Sequence, residues 1–307
     1  MKKLLLFVLG ISFCFFLVTI SFEYFLRAIP NDFKTKQYHL RKNKENIEVL
    51  ILGSSHTFVG VDPKYFEKPA FNLAYSSQTL DLDEKLFNRY KNQLTQLKTV
   101  IIPVSYFSYV LALEDGTSAH KIKNYNIYYQ LYSHTFKIEN QLEIAHQSFD
   151  KNLADLELFK SNPDFKITID STGYINKRYI KSNLDWQESA IHAVNNHSKN
   201  MDDNLTKLRM NQNQKSLENI ISWCEENQIK VILVSSPTTD AYVKKLNAKQ
   251  FNYWRMTTHA ISKKYQNVIW LNFLENNELF TLDDFQNADH LNENGAEKMS
   301  IILNQYL

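Results

Sequence analysis

Two short stretches carry residue types that can do chemistry together. Gly53-Ser54-Ser55-His56-Thr57 follows the apolar run 47–52. Asn287-Ala288-Asp289-His290-Leu291-Asn292 stands between the last apolar run and an amphipathic C-terminus. A serine hydroxyl becomes a nucleophile only with a base beside it to take its proton. A histidine next to a carboxylate has the composition of such a base and its orienter. Each stretch alone is ambiguous, because a serine after a strand is commonly a cap or turn residue. An Asp-His pair also occurs in surface loops and metal sites. The other histidines show no pairing pattern, and His120, His134 and His259 read as surface positions. Cys14 and Cys224 are the only cysteines and fall in no metal-binding spacing, so neither a structural zinc, a disulfide nor a cofactor is expected.

Both stretches need a scaffold that brings them to one place. Short apolar runs at 47–52, 70–73, 99–104, 230–234 and 268–271 read as buried strands by length and flanking residues. Between them apolar residues recur at helical spacing: Leu82, Leu86, Tyr90, Leu94 and Leu97; Leu217, Ile220, Ile221 and Cys224; Phe251, Trp254, Thr258, Ile261 and Tyr265. Ala296, Met299, Leu303 and Tyr306 form the inner stripe of a last helix, with Asn292 as its N-cap. Continuous apolar strands alternating with amphipathic helices predict an α/β fold with a doubly wound parallel sheet covered on both faces. In such a sheet ligands bind at the carboxyl ends of the strands, which is where both stretches fall. The chain has six glycines, and two of them, Gly53 and Gly295, lie in or beside these stretches, where the backbone needs freedom that a Cβ would deny.

The N-terminus has a different character. After Met1-Lys2-Lys3, residues 4–22 form a charge-free run without a polar face, long enough for a bilayer span. No clear cleavage site follows, so an uncleaved anchor over 1–27 is the first expectation and a signal peptide the second. Residues 28–45 are polar and read as a stalk, and 46–307 as the chemical domain, interrupted by a Tyr- and Asn-rich insertion at 105–214. That insertion can cap a substrate groove or serve packing alone. Lys2 and Lys3 favour an extracytoplasmic domain, whereas Arg27, Lys34, Lys36, Arg41 and Lys42 pull the other way. With 44% apolar and 22% charged residues and a net charge of +2, the chain is an ordinary globular protein and no nucleic-acid binder.

Taken together, the Gly-x-Ser turn after the first strand and the Asp-His loop before the last helix resemble the SGNH (GDSL-like) hydrolase superfamily. The resemblance covers 47–104 and 217–307. It implies that Ser55 is the nucleophile and His290 its base. It also aligns Asn72-Leu73-Ala74-Tyr75-Ser76-Ser77 with the family's second block, so that the N–H groups of Ser55 and Ser77 would form the oxyanion hole. Three departures stand out. Asn287 occupies the position of the family's aspartate, three residues before the histidine, which leaves Asp289 or Asn287 as orienter of His290. Of these, the charged Asp289 is favoured. Ser105-Tyr106-Phe107-Ser108 replaces the third block and lacks its oxyanion asparagine. Ser77 stands in place of a glycine.

These departures, with the anchor, are similar to a membrane-anchored branch that includes the D-alanyl-lipoteichoic acid transfer and alginate O-acetylation proteins. The resemblance implies serine-dependent acyl transfer, or ester cleavage, on a cell-envelope polysaccharide. It places the chain in a bacterial inner membrane as a single-pass protein with its catalytic domain outside. A membrane-bound O-acyltransferase is an implied partner. The alternative from another class is a non-catalytic SGNH-like scaffold that binds polymer or the acyltransferase.

Overall fold

A computed structural model describes residues 1–132, 136–176, 185–276 and 278–307. His134 lies outside the described residues. Among these residues the chain folds into two compact units, Met1–Gln37 with Ala119–Thr168 and Tyr38–Ser118 with Ile169–Leu307.

The first unit begins with α1, Lys2–Ala28. Leu, Phe, Val and Ile cover it on all sides, nearly all of them exposed, so the helix is long and apolar enough to cross a bilayer. Its last turns are different. Glu23 and Leu26 are buried, and the Glu23 carboxylate accepts hydrogen bonds from the backbone N–H of Glu143 (3.0 Å) and Ile144 (2.9 Å). The segment expected to be a stalk is helical as α2, Asp32–Asn43. Asn31 starts it, accepting from Lys34 N through Oδ1; Phe33 and Lys36 are buried, and from Tyr38 on the helix, with buried Leu40, belongs to the second unit. The insertion's middle supplies α5, Ile122–Tyr129, and α6, Phe149–Ser161. Tyr125 and Tyr129 are buried there, packing edge-on against Phe33 at 5.2 and 6.0 Å. The ends of the insertion, 105–118 and 169–214, belong to the second unit.

The second unit is built on a five-stranded parallel sheet. Its strands are β1 (Val49–Ile51), β2 (Ala70–Asn72), β3 (Thr99–Pro103), β4 (Lys230–Ser235) and β5 (Val268–Asn272), in the order β2-β1-β3-β4-β5. The intervening helices are α3 (Ser55–Gly60), α4 (Leu80–Tyr90), α7 (Trp186–His197), α8 (Asn204–Glu226), α9 (Asp240–Val243), α10 (Ala248–Lys264) and α11 (Glu293–Asn304). Successive strand residues point to opposite faces, so full burial along β1 and β3 means that both faces are covered. On one face Val49, Ile51, Ile101, Ile232 and Val234 pack with Met299 and Leu303 of α11. Leu50, Ile102 and Leu233 point the other way and are equally buried, and α4 packs on α8. This is the doubly wound α/β architecture the periodicity predicts. The strand order reverses between β1 and β3, and the crevice beyond their carboxyl ends is where an open sheet leaves room for a ligand.

Candidate active site

Immediately after β1 the chain makes a turn that only glycine fits. Gly53 has φ +112°, and a Cβ there would lie 1.8 Å from Pro103 Cγ at the end of β3. Its N–H donates to the Asp83 carboxylate (2.9 Å), which also accepts from Gln78 Nε2 (2.6 Å). Burial pushes the Asp83 carboxyl up to about 7. Ser54 then caps α3, its Oγ accepting from His56 N, and α3 starts at Ser55. The capping role therefore falls to Ser54, which leaves the partly exposed Ser55 hydroxyl for another partner.

The second stretch is a pinned loop. Phe285 and Leu291 bridge across it, and Gln286 N donates to the His290 carbonyl (3.0 Å). Ala288 is held from both sides: its N–H donates to Ser189 Oγ of α7 (3.0 Å) and its carbonyl accepts from Thr239 N and Oγ1 (both 2.9 Å). Asn292, not Asp289, caps α11, accepting from Gly295 N at 3.1 Å.

Ser55 Oγ lies 2.8 Å from His290 Nε2. On the far side of the ring, Nδ1 faces two acceptors, Asp289 Oδ1 at 3.1 Å and Asn287 Oδ1 at 3.2 Å. Asn287 Oδ1 also accepts from the backbone N–H of Asp289 and of His290, so that atom is the amide oxygen. The proton of a neutral His290 therefore sits on Nδ1, and Nε2 turns its lone pair to the serine. In this tautomer the imidazole can take the Ser55 proton. Both candidate orienters thus reach the same nitrogen.

Electrostatics reinforce this. Burial disfavours a charged His290, but the Asp289 charge and hydrogen bond outweigh it and hold the imidazole above its ordinary value. Burial likewise works against an ionised Asp289, yet the charge and hydrogen bond of His290, with the His56 contact, keep its carboxyl well below the usual range. Ser55 and His290 remain partly exposed while Asp289 is buried, so the reacting pair faces solvent and the charge behind it does not.

Two histidines join the site that the sequence did not single out as partners. His56 Nε2 lies 3.5 Å, and His197 Nε2 4.0 Å, from Asp289 Oδ2. The expectation that the remaining histidines have no partner pattern is corrected for these two; His120 and His259 are exposed, as expected, and His120 lies beside His146 with ring centroids 6.1 Å apart. His56 stood within the first motif, adjacent to Ser55. His197 ends α7, and no local signal in the sequence connects it to residue 289. Burial keeps both rings neutral, pushing His197 down to about 3.

Ser77 lies between β2 and α4 with φ +68°, a left-handed backbone that usually calls for glycine. Its hydroxyl donates to Ser118 Oγ (3.1 Å). Asn72, which opens that block, donates through Nδ2 to the carbonyls of Thr57 and Val61 and so ties β2 to α3. Ser105, in place of the third block, puts its Oγ 2.9 Å from His56 Nδ1.

His56, Asp289 and His290 each bring one ligand atom within 4.8 Å of the others, close enough to hold a cation. A metal would displace the Nδ1 proton that Asn287 and Asp289 accept, so the donor set fits a hydrogen-bonded network better than a metal centre.

No family model and no curated protein matches the sequence. Among solved structures the chain is similar to a GDSL-like lipase from Bacteroides thetaiotaomicron, at 13% identity and a TM-score of 0.44, with 89% of this chain and 97% of that one covered. It is also similar to a candidate acylhydrolase from Bacteroides fragilis, at 12% identity and a TM-score of 0.42, with 88% and 94% covered. At these TM-scores the likeness assigns nothing, and the reading of the site stands on its own geometry.

Proposed function

We propose that the chain is a membrane-anchored serine enzyme that transfers acyl groups at Ser55. The observation that carries this reading is the 2.8 Å contact between Ser55 Oγ and the Nε2 of a His290 whose other nitrogen is held by acceptors. Ser55 Oγ attacks the carbonyl carbon of an acyl donor while its proton passes to His290 Nε2. The tetrahedral intermediate collapses, the leaving alkoxide takes that proton, and an acyl-serine remains. A second hydroxyl then gives its proton to His290 Nε2 and attacks the acyl-serine; the intermediate expels Ser55 Oγ, which takes that proton back, and the new ester leaves. Ser55 and Ser77 N–H groups would stabilise the oxyanion, with no asparagine to assist them. One missing donor costs about 2.7–4 kcal/mol in transition-state stabilisation, so a slow enzyme is expected whether water or a sugar hydroxyl is the acceptor.

The anchor supports the acceptor class that the resemblance implies. With α1 in a bacterial inner membrane and the second unit outside it, the hydroxyls in reach are those of envelope polysaccharides, supplied beside a membrane-bound O-acyltransferase. The test is p-nitrophenyl acetate turnover with and without a soluble polysaccharide. Acceleration by the polymer together with acetylated sugar supports transfer. Release of acetate alone reduces the activity to an esterase. No turnover, with the fold intact, leaves a binding scaffold.

A further inference from the structure

Asp289 is the meeting point of three imidazoles, and only one of them takes part in the proton transfer proposed above. Two adjacent pairs face each other across the crevice. Ser55 contacts His290, and His56 contacts Asp289, so the neighbours Ser55-His56 and Asp289-His290 are linked by two side-chain contacts. His56 is buried, and its ring is set at right angles to that of His290, with centroids 5.1 Å apart. A neutral imidazole has one N–H and one lone pair. The Ser105 hydroxyl, 2.9 Å from His56 Nδ1, can donate there and leaves the ring proton on Nε2, pointing at Asp289 Oδ2 at 3.5 Å. Behind it His197 is fixed by Tyr242 OH (2.8 Å) and by Phe107, whose ring centroid lies 4.1 Å away. Its Nε2, at 4.0 Å, is too far to hold Oδ2 by a hydrogen bond.

A carboxylate immediately before its histidine needs something to aim it, because adjacent side chains tend to diverge. From this geometry we infer that His56 is a positioning residue: its Nε2–H holds Asp289 Oδ2, so that Oδ1 stays on His290 Nδ1. The same helix start that presents Ser55 to the base thus also anchors the group behind the base. This inference rests on the reading of Ser55 and His290 as nucleophile and base.

The experiment compares His56→Gln with His56→Asn in the full chain in detergent. The readout is the rate at which a fluorophosphonate labels Ser55, followed through the acid limb of its pH profile. Gln carries an amide N–H about as far as Nε2 and should label within about threefold of wild type, with the limb in place. Asn reaches only as far as Nδ1, keeps the Ser105 partner and loses Asp289. It should label about tenfold to a hundredfold more slowly, part of the ~10⁴ lost when a triad carboxylate is disabled. Its acid limb should move to lower pH, because His290 loses the aimed carboxylate that raises its pKa. Ser105→Ala leaves the imidazole in place but frees its tautomer, and it should shift the limb in the same direction should either His56 variant fail to fold. Equal rates and an unmoved limb in all folded variants overturn the inference and leave the nucleophile reading intact. A wild-type chain whose Ser55 is never labelled overturns both.

Discussion

His290 Nδ1 has two acceptors at nearly the same distance, Asp289 Oδ1 and Asn287 Oδ1, and their other contacts show that they do different work. Asn287 is engaged mainly with the backbone, accepting from the N–H groups of residues 289 and 290, and so shapes the loop. Asp289 carries the charge that stabilises an imidazolium, and its burial makes that charge count for more. A base works only while neutral, so activity rises with pH through the His290 pKa. Because that pKa is raised, the acid limb should lie above the ordinary 6.5. Asp289→Asn should lower the limb below that value and cost up to ~10⁴ in turnover, by analogy with serine proteases. Asn287→Asp adds a second carboxylate and should move the limb further up. A pH–rate profile of p-nitrophenyl acetate cleavage by the two variants decides the matter. An Asp289→Asn enzyme near wild type, beside an Asn287→Asp enzyme that gains activity, would hand the orienting role to Asn287. The sequence made all three of these side chains visible as candidates. It hid His197, because a histidine at the end of a helix in an insertion reveals nothing about the loop it will pack against.

At the scale of elements, the sheet was legible because buried parallel strands are continuous apolar runs, and all five runs are strands within a residue or two of the expected bounds. The last helix was equally plain, with Asn292 capping it as its residue type suggests. Gly295 in its first turn shows why a glycine sits there, since a Cβ would meet the Asp284 carbonyl at 2.2 Å. Two helices were harder to see. In α2 the apolar stripe shrinks to Phe33 and Leu40 among lysines, glutamine and arginine, so hydropathy reads it as a polar stalk. Those residues are nonetheless good helix formers, and Asn31 after Pro30 marks the start. In α8 the apolar periodicity at 217–224 covers only the second half. The first half, from Asn204, is polar and follows the Asp203 cap that accepts from Thr206 N. Caps and propensity carried those boundaries, and burial periodicity could not.

At the scale of the whole molecule, the apolar helix α1 is part of the first unit through its last turns. Glu23 accepts two backbone N–H groups and the Arg27 guanidinium, so the helix end is tied into that unit by a buried carboxylate. Removing residues 1–22 should leave the fold intact and release the protein from membranes. Removing 1–28 takes Glu23 and Leu26 as well, and should lower stability by about 2 kcal/mol or more, read as a fall in the thermal midpoint. Equal midpoints for the two truncations would show that the Glu23 contacts are idle. The account's central claim concerns chemistry at one oxygen atom, and peptide mapping of the full chain after fluorophosphonate treatment tests it most directly. The account predicts a single adduct on Ser55, lost in Ser55→Ala and strongly slowed in His290→Ala. An adduct on Ser54, or none on a folded chain, would contradict it.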